Sequence, residues 1–121
     1  MVRRDPTDLL TEILEGITDI SGYAKGLEHE TFDQLLVNDR KTYRAVKNAL
    51  SEIGEAIKNL PQDVTNRHPT VDWRGASKLR DIIAHHYHRL DTQQLWLVIT
   101  DDFPALLSAV EAELNATPPA T

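Results

Sequence analysis

Arg80, His85 and Tyr87 place a guanidinium, an imidazole and a phenol at i, i+5 and i+7 in the segment Leu79-Arg80-Asp81-Ile82-Ile83-Ala84-His85-His86-Tyr87. At roughly 100° per residue, Arg80, Asp81, Ala84, His85, Tyr87, His88 and Asp91 fall within one arc of about 160°. Leu79, Ile82, Ile83 and Leu90 fill the opposite arc, so the pattern predicts a helix with an apolar back and a chemically capable front. Arginine keeps its charge and grips phosphate with a forked pair of donors. Histidine titrates near neutral pH and can give or take a proton. Those are the two parts that a metal-free phosphodiester-cleaving site most needs.

Other residues near this pair have competing readings. Asp81 precedes His85 by four positions on the same face, where it can orient the imidazole and favour its charged form. The plainer reading is a surface i,i+4 pair contributing a few tenths of a kcal/mol. Tyr87 lies about 20° from Arg80, and on residue type alone it reads as an aromatic packed at a helix interface. His86 points toward the apolar side. His88 shares the polar arc and makes a trio with Asp81 and His85 at i, i+4 and i+7, but no second helix supplies a matching histidine. No metal is therefore expected. His29 and His68 read as loop residues without a nameable partner, Glu55 as structural, and Trp73 and Trp96 as core or interface anchors.

The elements that must position these groups are helical. Asp5-Pro6 opens the first helix with an acid cap and a first-turn proline. Leu9, Ile13, Ile17, Ile20, Ala24 and Leu27 then recur at helical spacing, widened by Leu10 and Leu14. Gly22 and Gly26 weaken its end. Thr31-Phe32-Asp33-Gln34 resembles a capping box. Asn38-Asp39 can cap the next helix, whose stripe is Val46, Ala49, Leu50, Ile53, Ile57 and Leu60 before Pro61. Residues 61–72 read as the one clear loop. The motif helix is predicted from about Trp73 to Leu90. Asp91 with Gln94 reads as a cap for a helix through Leu95, Trp96, Val98 and Ile99, which Pro104 kinks or restarts with Asp101 or Asp102 as cap. Leu106, Leu107, Val110 and Leu114 continue the stripe. The expectation is an all-α antiparallel bundle.

With 121 residues, 40% of them hydrophobic and 26% charged, the chain reads as one domain over residues 1–121, with a tail losing order from about 116. No apolar run approaches the ~20 residues of a membrane span, and Met1-Val2-Arg3-Arg4-Asp5-Pro6 has no apolar core of a signal peptide. A cytoplasmic protein without a membrane partner is expected. The absence of cysteine excludes disulfides, thiolate catalysis and sulfur-based zinc sites. A net charge of −6 argues against a general nucleic-acid coat protein. A local basic cleft is still consistent with it, because Arg74, Lys78, Arg80 and Arg89 cluster around the motif.

The spacing from Arg80 through His85 to Tyr87 resembles the signature of the HepT-type toxins, a branch of the HEPN ribonucleases. Ile53-Gly54-Glu55-Ala56, Val71-Asp72-Trp73, Leu95-Trp96 and Asp102-Phe103-Pro104 resemble family landmarks in family order, and the likeness runs from the first helix to Leu114. The resemblance implies a HEPN-like bundle of four to five main helices that forms a homodimer, with two motif helices meeting across a two-fold axis. The broad stripe Leu9, Leu10, Ile13 and Leu14 would suit the added burial. It also implies metal-independent RNA cleavage, without a cofactor, by a composite Arg80–His85 site, with Asp81 at a position where the family carries Asn, Asp or His. Tyr87 matches the tyrosine to which a cognate nucleotidyltransferase antitoxin transfers AMP, in a type VII-like toxin–antitoxin system. The other implied class is a non-catalytic HEPN interaction or nucleotide-binding module that partners a nucleotidyltransferase.

Overall fold

The computed structural model describes residues 5–77, Leu79 and residues 92–116. Every regular element among them is helical, and no strand occurs among the described residues. The expected tail beyond Ala116 lies outside them. Helix α1 (Pro6–Ala24) begins as its sequence dictates: the Asp5 carboxylate accepts the Thr7 N–H at 2.8 Å, and proline occupies the first turn. Gly26 then turns the chain at φ +77°, a left-handed conformation that glycine adopts without the clash of a Cβ.

Helix α2 (His29–Asn38) starts earlier than the Thr31 capping box predicts. Its first turn closes by Phe32 N–H to Glu28 O at 2.9 Å, and no side chain caps it. Tertiary packing outweighs the cap: Phe32 and Leu36 are buried one turn apart, and the His29 ring stacks on Trp96 at 5.4 Å. Helix α3 (Arg40–Lys58) follows its predicted cap. Asp39 accepts the Lys41 and Thr42 N–H groups and the Thr42 hydroxyl, and these donors hold its carboxyl below the ordinary range.

Helices α1 and α3 form the centre of the fold, with α2 against α3. At Gly16 of α1, which abuts α3, a Cβ would lie 2.6 Å from Ile53 Cγ1, so this contact needs glycine for space rather than for dihedral freedom. Val46, Leu50, Ile53 and Ile57 bury the predicted face of α3.

Segment 61–72 is not wholly a loop. Gln62–Asn66 forms the short helix α4, anchored by buried Val64 and by the Thr65 hydroxyl donating to Gln62 O at 3.0 Å. Helix α5 (Trp73–Ser77) packs on α3, and Leu79 is buried. Helix α6 (Thr92–Leu97) passes into a wide turn, Val98–Asp102, before α7 (Phe103–Ala116). In that turn the Phe103 N–H reaches back five residues to Val98 O. Pro104 thus sits in the first turn of α7, and neither Asp101 nor Asp102 acts as the predicted cap. The ladder absorbs the proline by widening, which avoids the ring–carbonyl clash of an uninterrupted α-helix. Buried Phe103, Leu106, Ala109 and Val110 face inward from α7, which packs on α1. Among the described residues, no helix is long and apolar enough to cross a membrane.

One supporting argument from the sequence fails. Leu9, Leu10 and Ile13 are 2%, 2% and 0% exposed within a single chain. They are already out of water, and Leu14, the fourth member of the stripe, is partly buried against the same core, so the three buried residues are core and do not offer a face to a second copy.

Candidate active site

The helix predicted to carry the motif begins at a firmly built corner. Trp73 opens α5 half-buried against the core, and its indole N–H donates to His68 O at 2.9 Å. The Val71 N–H donates to the same carbonyl at 3.2 Å. Asp72 accepts the Gly75 N–H at 2.9 Å, satisfying one of the unpaired donors of the first turn. A Cβ at Gly75 would meet the Asp72 carboxylate, which would have to shift to make room. Asp102, across from α5 in the wide turn, has its carboxyl pushed up by partial burial and then by the charges of Asp72 and Asp101. Three carboxylates therefore lie close together at this corner.

A second cluster ties this corner to α7. Glu113 is gripped at both oxygens: Arg67 Nη2 donates to Oε1 at 2.7 Å and Arg67 Nε to Oε2 at 3.1 Å. His68 Nε2 lies 2.7 Å from the same Oε2. Arg67 and His68 together hold the Glu113 carboxyl down to about 2, with Arg67 the larger cause. Asp63, at 3.6 Å from Arg67, adds a weaker exposed contact. The Glu113 side chain is 13% exposed and that of Arg67 53%, so the cluster lies at the surface with its carboxylate largely covered. The sequence left His68 without a partner because Glu113 is 45 positions away.

This cluster predicts a pH signature. A carboxyl whose folded pKa is depressed contributes stability that is present above its unfolded value, about 4.5, and lost as pH falls through about 2. Glu113→Gln is expected to cost about 2 kcal/mol near neutral pH, the range for a hydrogen bond to a charged group. Denaturant titrations of parent and variant should converge between pH 4.5 and pH 2; a difference that persists unchanged to acid would contradict this role.

Arg80, Asp81, His85 and Tyr87 lie outside the described residues, as do Lys78, His86, His88, Arg89 and Asp91. The structure thus describes the segment that leads into the motif and its supports, and not the motif. The same holds for the Asp81–His85–His88 trio; among the described residues, no three His, Cys, Asp or Glu side chains converge as a metal site. The two tryptophans act as packing groups. Trp96 packs against both His29 and Phe32, a contact that sequence spacing gives no signal for. Glu55, expected to be structural, accepts the Asn59 amide through its backbone oxygen at 2.9 Å and its side chain at 3.3 Å near the end of α3.

Comparison with known proteins places these landmarks in a family. The family model "Ribonuclease HepT-like" matches residues 13–113, a span that includes α3, the built corner, the motif and most of α7. "Putative RNase MJ0127" of Methanocaldococcus jannaschii is 37% identical over 92% of this chain and 88% of its own length. "Probable ribonuclease HepT" of Thermococcus cleftensis is 36% identical over 91% of this chain and 96% of its own length. A third relative, "Putative RNase TTE0752" of Caldanaerobacter subterraneus subsp. tengcongensis, is 31% identical over 93% and 96%. No solved structure matches the chain. With the model covering well over half of the sequence and relatives of similar length, this chain belongs to the HepT-like ribonuclease family.

Proposed function

We propose that the protein is the toxin of a type VII-like toxin–antitoxin system, a metal-independent endoribonuclease that works as a homodimer. The observation that carries this reading is the family match over residues 13–113, which encloses an Arg80–His85–Tyr87 set at family spacing. Arg80 and His85 are the proposed catalytic pair. The RNA 2′-oxygen attacks the adjacent phosphorus and the bond to the 5′-oxygen breaks, leaving a cyclic phosphate and a 5′-hydroxyl. His85 accepts the 2′-hydroxyl proton or supplies one to the leaving oxygen. Arg80 stabilises the extra negative charge on the phosphoryl oxygens as attack proceeds, and Asp81 orients His85.

A single helix face is a shallow site. Two motif helices related by a two-fold axis would form a groove and collect both Arg–His pairs, so that one His85 serves as base while the partner's His85 serves as acid. Tyr87 is the proposed AMP acceptor. Its phenolic oxygen attacks the α-phosphorus of ATP, pyrophosphate leaves and the phenol proton goes to solvent.

The composite site is tested by dilution. Sedimentation should give a dimer at micromolar concentration, and specific cleavage activity should fall in step with the dimer fraction as the protein is diluted. A monomer with full specific activity would rule the composite site out.

A further inference from the structure

An acidic chain that cleaves RNA must hold its substrate with a local concentration of positive charge. The first half of α3 has one. Arg40, Lys41, Arg44 and Lys47 place four of the chain's thirteen Lys and Arg residues within eight positions. No Asp or Glu occurs from Arg40 through Ser51, although the composition, with 19 acids in 121 residues, would put about two in a stretch of that length. At 100° per residue, Arg40, Arg44 and Lys47 fall within about 60° of one another, with Ser51 on the same line. Arg40 and Arg44 are exposed and Lys47 is partly so. The buried face of α3, made by Val46, Leu50, Ile53 and Ile57, points elsewhere.

These charges are costly to the helix that carries them. The first turn of α3 contains no acid, and cations there oppose the helix dipole. Arg40–Arg44 at i,i+4 and Arg44–Lys47 at i,i+3 repel one another. Ion pairs do not offset this, since none of the three pairs with a described carboxylate. A row of like charges that folding disfavours fits an external polyanion.

We propose that Arg40, Arg44 and Lys47 form a phosphate-binding track on α3 that holds single-stranded RNA for cleavage. This deepens the ribonuclease reading and rests on it. Helix α3 packs directly on α5, and the chain runs from α5 to Arg80 within three residues of sequence. The three heads are spaced by about 6 Å and 4.5 Å along the axis, close enough to engage neighbouring phosphates of one strand. A protein partner fits less well, because a stable protein interface has an apolar core. The exposed large hydrophobic residues among the described residues are Tyr23, Val37 and Leu97, none of them on α3.

The track is tested by fluorescence anisotropy with a 2′-O-methyl single-stranded oligonucleotide, which binds without being cleaved by 2′-oxygen attack. The triple variant Arg40→Gln/Arg44→Gln/Lys47→Gln should bind at least about tenfold more weakly at 100 mM salt. Its slope of log affinity against log salt should be shallower by about 2, three phosphates at roughly 0.7 each. Lys25→Gln, which removes one exposed charge after α1, should change the slope by less than about 0.5. The triple variant keeps its fold because its substitutions are on the surface, which circular dichroism checks. Unchanged affinity and slope overturn the track, as does a parent chain that fails to bind the oligonucleotide. Loss of copurification with a protein partner alongside unaltered RNA binding also overturns it, and makes α3 a protein-facing surface. A parent that binds through these residues yet does not cleave RNA leaves the track standing and removes the ribonuclease reading alone.

Discussion

Arg80→Ala and His85→Ala are each expected to lower RNA cleavage by at least about 10²-fold and to relieve growth inhibition. Phosphodiester cleavage by an internal hydroxyl is slow in water because proton movement and charge build-up at phosphorus coincide. A positioned imidazole contributes about 10²–10⁴-fold through proton transfer. Loss of one preorganised electrostatic contact to a developing oxyanion costs about 10²–10³-fold. Arg80→Lys tests geometry separately from charge: lysine retains the positive charge but loses the forked donor pair, so it should recover only part of the rate. Both alanine substitutions lie on the predicted polar arc, and the helical circular dichroism of each variant should match that of the parent. Near-parent cleavage by both variants would remove the assigned pair.

The second large effect is expected at Tyr87. Transfer of AMP would add a phosphodiester, with about one negative charge, beside Arg80. It would also add a nucleoside that the RNA must displace. The charge weakens the attraction of the site for phosphate, and the bulk closes it. Tyr87→Phe retains the ring and removes the acceptor oxygen. The variant should therefore cleave RNA and escape neutralisation by the nucleotidyltransferase. Intact-mass measurement after incubation with that enzyme and ATP should find one or more AMP additions on the parent chain and none on the variant. Equal modification of both chains would place the acceptor elsewhere.

Features set by neighbours in sequence were legible from the residues. Asp5-Pro6 and Asp39 cap the helices they precede, because an N-cap acts over two or three residues. The stripes of α1 and α3 were legible for the same reason: helical periodicity is local. Long-range pairings were not legible. His29 against Trp96 and His68 against Glu113 join residues that only the packed fold brings together. The Thr31 capping box misled because buried Phe32 and Leu36 and the stacked His29 set where α2 begins. Pro104 was read correctly as a disruption, but the form it takes, a widened turn over Val98–Asp102 rather than a capped restart, was not legible. Leu9, Leu10 and Ile13 show the limit of pattern reading in another way. An apolar stripe identifies a buried face, and only the three-dimensional structure tells whether its own chain or a second copy covers it. The motif is a case apart: its spacing and the family match support the proposed roles of Arg80, His85 and Tyr87, while the structure describes the corner that precedes them in the chain.

The most direct measurement of the central claim is cleavage of a defined single-stranded RNA by the purified dimer in excess EDTA, with the product ends identified by mass spectrometry. The predicted result is undiminished cleavage that leaves cyclic phosphate and 5′-hydroxyl ends, and no such products from His85→Ala under the same conditions. Loss of the parent's activity in EDTA, or the same products from the His85→Ala chain, would contradict a metal-free Arg80–His85 ribonuclease.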